Sequence, residues 1–326
     1  MKLGSLKDAN KKDGRLVLVS KDLKNYVDAA DISPSLLQAI ENWNQVEPKL
    51  KDRYQQLNSG SLKDAKPYSE SLMAAALPRT WLFADGSSFI YHVKLVRKAR
   101  KAPLPETLQT VPLMYQGEAG RFLAPTEAIP QVDFSHGTDF EGEVGVIVDD
   151  VPIGVTAEVA LKHIKLVVLI NDVSLRGLIP EELASGFGFF QSKPNSALSP
   201  LALTVDEFGS AWKEGRLHLP LTVNLNGQFF GIANAGEMYF HFGQLIAHAA
   251  KTRPLAAGSL IGSGTVSNED HAKGSSCLVE KRTIEVIEKE KAETPFMKVG
   301  DTIEILMKNE KGEDLFGRIF QTVQKA

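Results

Sequence analysis

The chain has 326 residues, of which 43% are hydrophobic and 24% are charged, and its formal net charge is −3. These values are ordinary for a globular protein, and the length suffices for one or two domains. The weak acidic charge, without a basic stripe, predicts no nucleic-acid partner. The polar start of the chain and the lack of any long apolar run predict neither a leader nor a membrane partner.

The cysteine content indicates the compartment. Cys277 is the single cysteine of the chain, so an internal disulfide is excluded and a reducing cytoplasmic location is predicted. We interpret Cys277 as a small buried residue, with a catalytic thiol as the alternative.

Residues 1–75 are predicted to form a small N-terminal β/α domain. A short apolar run at residues 15–19 is typical of a strand. Apolar residues recur at three- and four-residue spacing from residue 36 to residue 57, which predicts an amphipathic helix that follows a cap at Ser33-Pro34. Pro48 is expected to kink or divide this helix.

Residues 76–326 are predicted to form the main domain, in which many short strands are separated by glycine and proline. The β-branched run at residues 144–148 predicts a buried strand, and Glu141 and Glu143 lie at its start. Because alternate side chains of a strand share a face, the two carboxylates repel each other unless they protonate, meet cations or share a metal ion. A solvated sheet edge is the alternative interpretation of this pair.

A second buried strand is predicted at residues 166–171, and it ends at Asp172, with Arg176 just beyond. One carboxylate at the end of this strand, added to the Glu141 and Glu143 pair, gives the oxygen ligand set that Mg²⁺ or Ca²⁺ requires. The sequence therefore predicts a site for a divalent cation.

Three later segments have clear local patterns. Residues 176–190 combine a helical turn with glycines beside aromatic residues, which predicts a mobile lid or, alternatively, a packed helix with a glycine cap. Asn226-Gly227 between two strand patterns predicts a hairpin with a type I′ turn. Residues 240–251 predict a helix, on which His241 and His248 are interpreted as packing or capping residues rather than metal ligands.

The signatures of several large enzyme classes are missing from the sequence. No strand is followed by the Gly-x-Gly-x-x-Gly pattern of dinucleotide binding, and no glycine-rich segment ends in the Gly-Lys-Ser/Thr of a phosphate loop. A Gly-x-Ser-x-Gly nucleophile elbow is also missing. The sequence therefore argues against an NAD enzyme, a kinase and a serine hydrolase.

Four motifs occur in one order along the chain, and together they resemble the fumarylacetoacetate hydrolase family in its bacterial type. They are Glu141-x-Glu143, Asn171-Asp172-x-Ser174-x-Arg176, Gln191-Ser192-Lys193-Pro194-x-Ser196-x-x-Ser199-Pro200 and Gly262-Ser263-Gly264-Thr265-Val266-Ser267. The similarity runs from about Asp85 to the C-terminus. It implies a mixed, mainly β fold, with a β-roll catalytic domain after a small N-terminal domain, and a homodimer.

By motif position, the resemblance also implies roles for individual residues. The metal ligands would be four carboxylates, Asp85, Glu141, Glu143 and Asp172, holding Mg²⁺ or Ca²⁺, with Mn²⁺ also acceptable. The catalytic residues would be His92, Glu280, Arg176 and Lys193. The substrate-binding residues would be Tyr115, Arg176, Lys193 and Thr265. Simpler alternatives are an ordinary exposed histidine for His92, a solvated partner of a neighbouring cation for Glu280 and a core aromatic for Tyr115.

The activity that the resemblance implies is metal-dependent hydrolysis of a carbon–carbon bond in a 1,3-dicarbonyl acid. Fumarylacetoacetate, cleaved to fumarate and acetoacetate in tyrosine and phenylalanine catabolism, is the substrate that matches best. Alternatives are an acylpyruvate hydrolase, a 2-oxo acid decarboxylase or hydratase, and a non-catalytic binding module. Ser87, Ile179 and Leu183 replace two tyrosines and a glutamine of the family's animal pattern, which weakens the assignment of the exact substrate.

Overall fold

The computed structural model describes residues 1–99 and 103–326, and most of its regular elements are short strands. The strands are β1 (Lys2–Leu6), β2 (Arg15–Val19), β3 (Asn25–Asp28), β4 (Lys66–Pro67), β5 (Phe83–Gly86), β6 (Met114–Gly117), β7 (Ile129–Gln131), β8 (Thr138–Asp139), β9 (Gly142–Val148), β10 (Ile164–Asn171), β11 (Ser174–Leu175), β12 (Ala197–Leu198), β13 (Leu201–Leu203), β14 (Trp212–Lys213), β15 (Arg216–Leu217), β16 (Pro220–Leu225), β17 (Gln228–Asn234), β18 (Leu260–Gly262), β19 (Thr302–Met307) and β20 (Ile319–Lys325). The α-helices are α1 (Leu36–Glu41), α2 (Trp43–Asn58), α3 (Ile90–Ala99), α4 (Ala157–Ala160), α5 (Ile179–Ser185), α6 (Phe242–Ala249) and α7 (Leu278–Lys289). Within the described ranges, no helix has both the length and the apolar character needed to cross a bilayer.

Two open sheets organise the fold. The larger has the strand order β4-β3-β2-β1-β13-β10-β9-β18-β5-β6, with β12 also paired to β10. Its β18 and β5 are parallel, whereas β9 pairs antiparallel with both β10 and β18. The second sheet has the order β17-β16-β19-β20-β7. The predicted mixed, mainly β class is confirmed, and neither sheet closes into a barrel in the part of the chain that the structure describes.

The predicted N-terminal domain and the main domain share the larger sheet. Strand β1 pairs antiparallel with β13, so that Leu3 lies opposite Ala202 and the N-terminal strands extend the sheet of the main domain. The boundary near residue 75 stays a prediction.

The central strands β9 and β10 are buried on both faces. Consecutive residues alternate between two hydrophobic clusters, so that Val146 belongs to one cluster and Ile147 to the other. The second cluster also contains Leu36 of α1 and Leu50 of α2, so the N-terminal helices cover one face of the sheet. Burial on both faces explains why these strands read as continuous apolar runs rather than as alternating patterns.

The predicted N-terminal helix is present but divides at another place. Ser35, not Ser33, is the N-cap of α1, and its side chain accepts a hydrogen bond from the backbone N–H of Gln38. The helix divides at Asn42, and α2 continues through Pro48 to Asn58. The expected division at Pro48 is therefore wrong, since α2 runs through this proline, which lies on the exposed side of the helix; a kink there stays a prediction.

Two helices occupy segments for which the sequence analysis predicted no helix. They are α3 and α7, which pack against each other. By contrast, the hairpin at Asn226-Gly227 is confirmed, since both residues have the positive φ, 53° and 73°, that a type I′ turn requires. His241 is the N-cap of α6, where its Nδ1 accepts from the N–H of Gly243, so its predicted capping role is confirmed.

Pro48 gives a test of the helix boundaries. Replacing it with alanine restores the backbone donor inside α2, so Pro48→Ala should raise the free energy of unfolding by about 1–3 kcal/mol. Denaturant unfolding followed by circular dichroism measures this change. Lys49→Ala, at the neighbouring exposed position, is the matched control and should change stability by less than about 0.5 kcal/mol. If the two variants change the free energy of unfolding equally, residue 48 does not lie inside a continuous helix α2.

Candidate active site

Three buried carboxylates meet where neighbouring strands of the larger sheet end. Asp85 lies near the end of β5, Glu143 lies at the start of β9, and Asp172 follows the last residue of β10. Each offers one carboxylate oxygen, and these three oxygens lie within 4.8 Å of one another. The close approach needs Gly262 on the intervening β18, because a Cβ atom there would lie 2.2 Å from Oδ1 of Asp85.

The electrostatics of these three acids favour a bound cation. Burial, together with the negative charges of neighbouring carboxylates, raises the pKa of Asp85 and of Glu143 well above the ordinary values. Neither side-chain oxygen of Glu143 has a hydrogen-bond partner among the described residues. Hard divalent cations such as Mg²⁺, Ca²⁺ and Mn²⁺ bind carboxylate oxygens of this kind, so the three acids fit such an ion.

Glu141, the fourth predicted ligand, lies outside this group of three oxygens. Its carboxylate accepts one hydrogen bond from the Arg176 guanidinium at 2.6 Å and another from Nζ of Lys193 at 2.6 Å. Burial alone would raise the pKa of Glu141, but the charges of Arg176 and Lys193 outweigh that effect and hold it well below the ordinary value. The structure therefore places Glu141 as an anionic partner of the two cations.

Asp172 connects the carboxylates to the predicted substrate-binding residues. It accepts hydrogen bonds from the Tyr115 hydroxyl at 2.6 Å, from Nζ of Lys193 at 2.5 Å and from the hydroxyl of Ser196. Burial would lower the pKa of Lys193, but the charges of Asp172 and Glu141 raise it above the ordinary value, so this side chain stays charged at neutral pH. Burial and the Asp172 charge raise the pKa of Tyr115, which therefore stays a donor.

The predicted histidine and glutamate form a hydrogen-bonded dyad. Nδ1 of His92, on α3, lies 2.8 Å from Oε2 of Glu280, on α7. The Glu280 side chain is 1% exposed and that of His92 is 16% exposed, so the glutamate is fixed and the imidazole remains reachable. Since Nδ1 faces the glutamate, Nε2 is the ring nitrogen that remains for a group in the cavity.

A cavity of about 380 Å³ brings the predicted residues together. Its walls include Asp85, His92, Tyr115, Glu141, Glu143, Arg176, Lys193 and Thr265. Asp172 and Glu280 lie directly behind this lining. Asp172 accepts a hydrogen bond from Lys193, and Glu280 is hydrogen-bonded to His92. The three residues that depart from the family's animal pattern, Ser87, Ile179 and Leu183, also line the cavity.

Asp139 is a functional residue that the sequence reasoning missed. Its buried carboxylate accepts from Nε of Arg176 at 2.8 Å and from the backbone N–H groups of Leu278 and Val279 at 2.8 and 3.0 Å. It therefore holds both Arg176 and the first turn of α7, the helix that carries Glu280. The signal was present, because Asp139 precedes Glu141 by two residues and continues the same strand alternation.

The predicted lid segment contains a glycine-capped helix. Helix α5 ends at Gly186, which has a φ of 77°, and the Glu182 carboxylate accepts from the backbone N–H groups of Phe190, Gln191 and Ser192. Phe187 beyond the cap is 98% exposed. The glycine cap matches the second interpretation, but Ile179 is the only residue of α5 that is buried, so neither a packed helix nor a mobile lid is established and motion of this segment stays a prediction.

Comparison with known proteins gives matches over nearly the whole chain. The family model described as fumarylacetoacetate (FAA) hydrolase C-terminal matches residues 82–324, and the one described as fumarylacetoacetase N-terminal domain 2 matches residues 1–79. A curated relative, the 2,4-didehydro-3-deoxy-L-rhamnonate hydrolase of Sphingomonas sp. (strain SKA58), is 28% identical over 167 residues. That alignment covers 50% of this chain and 54% of the relative, so the chain spans about half the length of the curated protein that it matches.

Solved structures share the fold at low sequence identity. Maleylpyruvate hydrolase from Sphingobium sp. SYK-6, in complex with manganese(II) ion and pyruvate, has a TM-score of 0.66 and 14% identity, with 100% of both chains covered. The 5-carboxymethyl-2-hydroxymuconate delta-isomerase from Mycobacterium smegmatis has a TM-score of 0.61 and 15% identity, covering 100% of this chain and 99% of that chain. At these identities the likeness shows the fold alone, and that fold is found in both hydrolases and isomerases.

Asp139 can be tested by its effect on stability. In Asp139→Asn, an amide N–H₂ group would face donors that the carboxylate now satisfies, so we expect the free energy of unfolding to fall by about 3 kcal/mol. Thermal and denaturant unfolding measure this loss. Asp133→Asn is the control, because Asp133 is an exposed cap that accepts from the Ser135 N–H, and it should change stability by less than about 0.5 kcal/mol. Equal stability of both variants would contradict the role given to Asp139.

Glu143 should show opposite effects on stability and on metal binding. Glu143→Gln removes a buried carboxyl group whose ionisation is disfavoured by burial and by the neighbouring carboxylates, so the metal-free protein, prepared with EDTA, should gain about 1–3 kcal/mol of stability. The same variant should bind Mn²⁺ at least about tenfold more weakly, because it offers one fewer anionic oxygen. Calorimetry with Mn²⁺ and melting curves with EDTA measure the two effects. Glu310→Gln, in an exposed turn, is the control and should bind Mn²⁺ as tightly as wild type does. If Glu143→Gln and Glu310→Gln bind Mn²⁺ with equal affinity, Glu143 is excluded as a ligand.

Proposed function

The chain belongs to the fumarylacetoacetate hydrolase family, and from that membership we propose that it hydrolyses a carbon–carbon bond in a 1,3-dicarbonyl acid with the help of a divalent cation. One observation carries the proposal beyond the family: the His92–Glu280 dyad and the acidic residues line or adjoin the same cavity. A reaction with water needs a base, and the dyad supplies one next to the acidic site.

The cation site is assigned to the carboxylates that lie close together. Asp85, Glu143 and Asp172 would hold the ion, which supplies Lewis-acid polarisation of a carbonyl oxygen when it is bound. We propose Mg²⁺, Ca²⁺ or Mn²⁺, since each accepts oxygen ligands of this kind. Glu141 would keep Arg176 and Lys193 in place beside the ion rather than bind it directly.

The dyad would generate the nucleophile. His92 accepts a proton from a water molecule through its Nε2, while Glu280 fixes the ring and stabilises the imidazolium that forms. The resulting hydroxide attacks one carbonyl carbon of the substrate. His92 can then return the proton to the carbon fragment that leaves, so the imidazole ends the cycle in its starting state.

The cations of the site would stabilise the negative charge that appears as the bond breaks. The leaving group is an enolate, which is a poor leaving group unless positive charge or donors lie close to its oxygen. Lys193 stays charged, and Tyr115 stays a hydroxyl donor, at neutral pH. Both line the cavity with Arg176, so the three side chains are placed to bind the carboxylate and enolate oxygens of the substrate.

Fumarylacetoacetate is our first choice of substrate, and an acylpyruvate is the second. The dyad favours hydrolysis over decarboxylation, because decarboxylation needs no activated water. The proposal also includes a homodimer in the cytoplasm, supported by family membership and by the single buried thiol, Cys277. A 2,4-didehydro-3-deoxy sugar acid belongs in the substrate panel because of the curated relative.

The proposed chemistry predicts a selective loss in His92→Ala. Without the base, kcat for fumarylacetoacetate should fall by about 10²–10⁴, while Mn²⁺ affinity stays within about twofold of wild type. Loss of the diketone absorbance measures hydrolysis of fumarylacetoacetate. Acetylpyruvate, oxaloacetate and a 2,4-didehydro-3-deoxy sugar acid are assayed in parallel, and EDTA should abolish the hydrolysis. His248→Ala, at a histidine outside the cavity lining, is the control with unchanged kcat. Near wild-type hydrolysis by His92→Ala would overturn the mechanism.

A further inference from the structure

Helix α3 forms a wall of the cavity that continues well beyond the catalytic histidine. His92, Val93, Val96 and Arg97 all line the cavity, as expected for neighbouring positions on one helical face. Arg97 lies five residues after His92, which is about 7.5 Å along the helix axis. The helix therefore fixes the spacing of the two backbone positions that carry the proposed base and this arginine.

The part of this helical wall between His92 and Arg97 that faces the cavity is apolar. Val93 and Val96 stand between His92 and Arg97 on the helix, and Ile179, Leu183 and Val279 add apolar surface to the same cavity. Such walls suit a hydrocarbon portion of the substrate rather than its carbonyl groups. Arg97 thus follows an apolar stretch that begins at the reaction centre.

No carboxylate in the described part of the chain forms an ion pair with Arg97. Arg176 and Lys193 each pair with carboxylates at distances of 2.5–2.8 Å. Within the ranges 1–99 and 103–326, no carboxylate lies within 4.0 Å of Arg97, and its Nη1 donates to the carbonyl of Pro103 at 2.8 Å. The remaining N–H groups of its planar fork are suited to bidentate binding of a carboxylate.

We propose that Arg97 is a specificity-determining residue that binds a second carboxylate, at the end of the substrate remote from the bond that breaks. This inference rests on the proposed hydrolase function and narrows its substrate class to acids that carry a carboxylate at each end. The substrate lies along α3, with its dicarbonyl group at the acidic end, its hydrocarbon part against Val93 and Val96, and its distal carboxylate on Arg97.

Kinetics with two diketones test the inference. Fumarylacetoacetate ends in carboxylates on both sides, whereas acetylpyruvate has a methyl group at one end. In Arg97→Leu, KM for fumarylacetoacetate should rise about 10–100-fold, as expected for losing a charged hydrogen-bonded pair, while kcat stays within about twofold. KM for acetylpyruvate should stay unchanged, and Arg97→Lys should recover part of the loss.

Lys98→Leu is the matched control. It removes the same charge from the neighbouring position of α3, but Lys98 is exposed and does not line the cavity. If Lys98→Leu raises KM for fumarylacetoacetate as much as Arg97→Leu does, the effect comes from the overall positive charge of α3 and not from a direct contact of Arg97 with the substrate, and the inference fails. Equal proportional effects of Arg97→Leu on both diketones would also overturn it.

A binding measurement separates this inference from the proposed function. Adipate and hexanoate have the same chain length and differ by one carboxylate, and calorimetry with the Mn²⁺-loaded protein compares them. Wild type should bind adipate at least about tenfold more tightly than hexanoate, and Arg97→Leu should abolish that ratio. If wild type cleaves no diketone but keeps this ratio, the hydrolase function fails and the role of Arg97 stands. A ratio unaffected by Arg97→Leu overturns the role of Arg97 alone.

Discussion

The mutual repulsion of buried carboxylates is the constraint on which the rest of the site depends. Five of them, Asp85, Asp139, Glu141, Glu143 and Asp172, lie at or below 5% exposure around two cations, the buried Lys193 and the partly buried Arg176. Two positive charges cannot balance five negative ones in a medium of low dielectric constant. Arg176 pairs with Asp139 and Glu141, and Lys193 pairs with Glu141 and Asp172. Asp85 and Glu143, on the opposite side of the cluster, have no such cation, and a divalent ion would balance their negative charge.

This arrangement divides the acids by task. Those that contact Arg176 or Lys193 fix the positive groups that a substrate meets, and the acids without such partners are the ones that suit a metal ion. Asp172 belongs to both groups, because Lys193 and Tyr115 donate to it while one of its oxygens lies with those of Asp85 and Glu143. Under the proposed function, substrate binding and ion binding would therefore be coupled through a single carboxylate.

The sequence predicted the strands of this site better than its helices. The apolar runs of β9 and β10, and the acids at their ends, follow from strand periodicity, and the turn at Asn226-Gly227 follows from its two residues alone. The position of Asp85 needed the family resemblance, because the contact of β5 with β18 joins residues far apart in the chain. Helices α3 and α7 were missed because their apolar faces are short and interrupted by charged residues. The contacts of Glu141 with Arg176 and Lys193 depend on where long cationic side chains end, which no periodic pattern encodes.

The separation of strands and helices within the site has an evolutionary consequence. The carboxylates proposed to bind the ion stand on or next to strands of one continuous sheet, whereas the proposed base and its partner stand on α3 and α7, which meet through the His92–Glu280 contact. Substitutions confined to these two helices can remove or replace the base without disturbing the sheet. A chain of this kind can therefore exchange one reaction for another while it keeps the same ion, which makes the helix pair the natural place for new activities to arise.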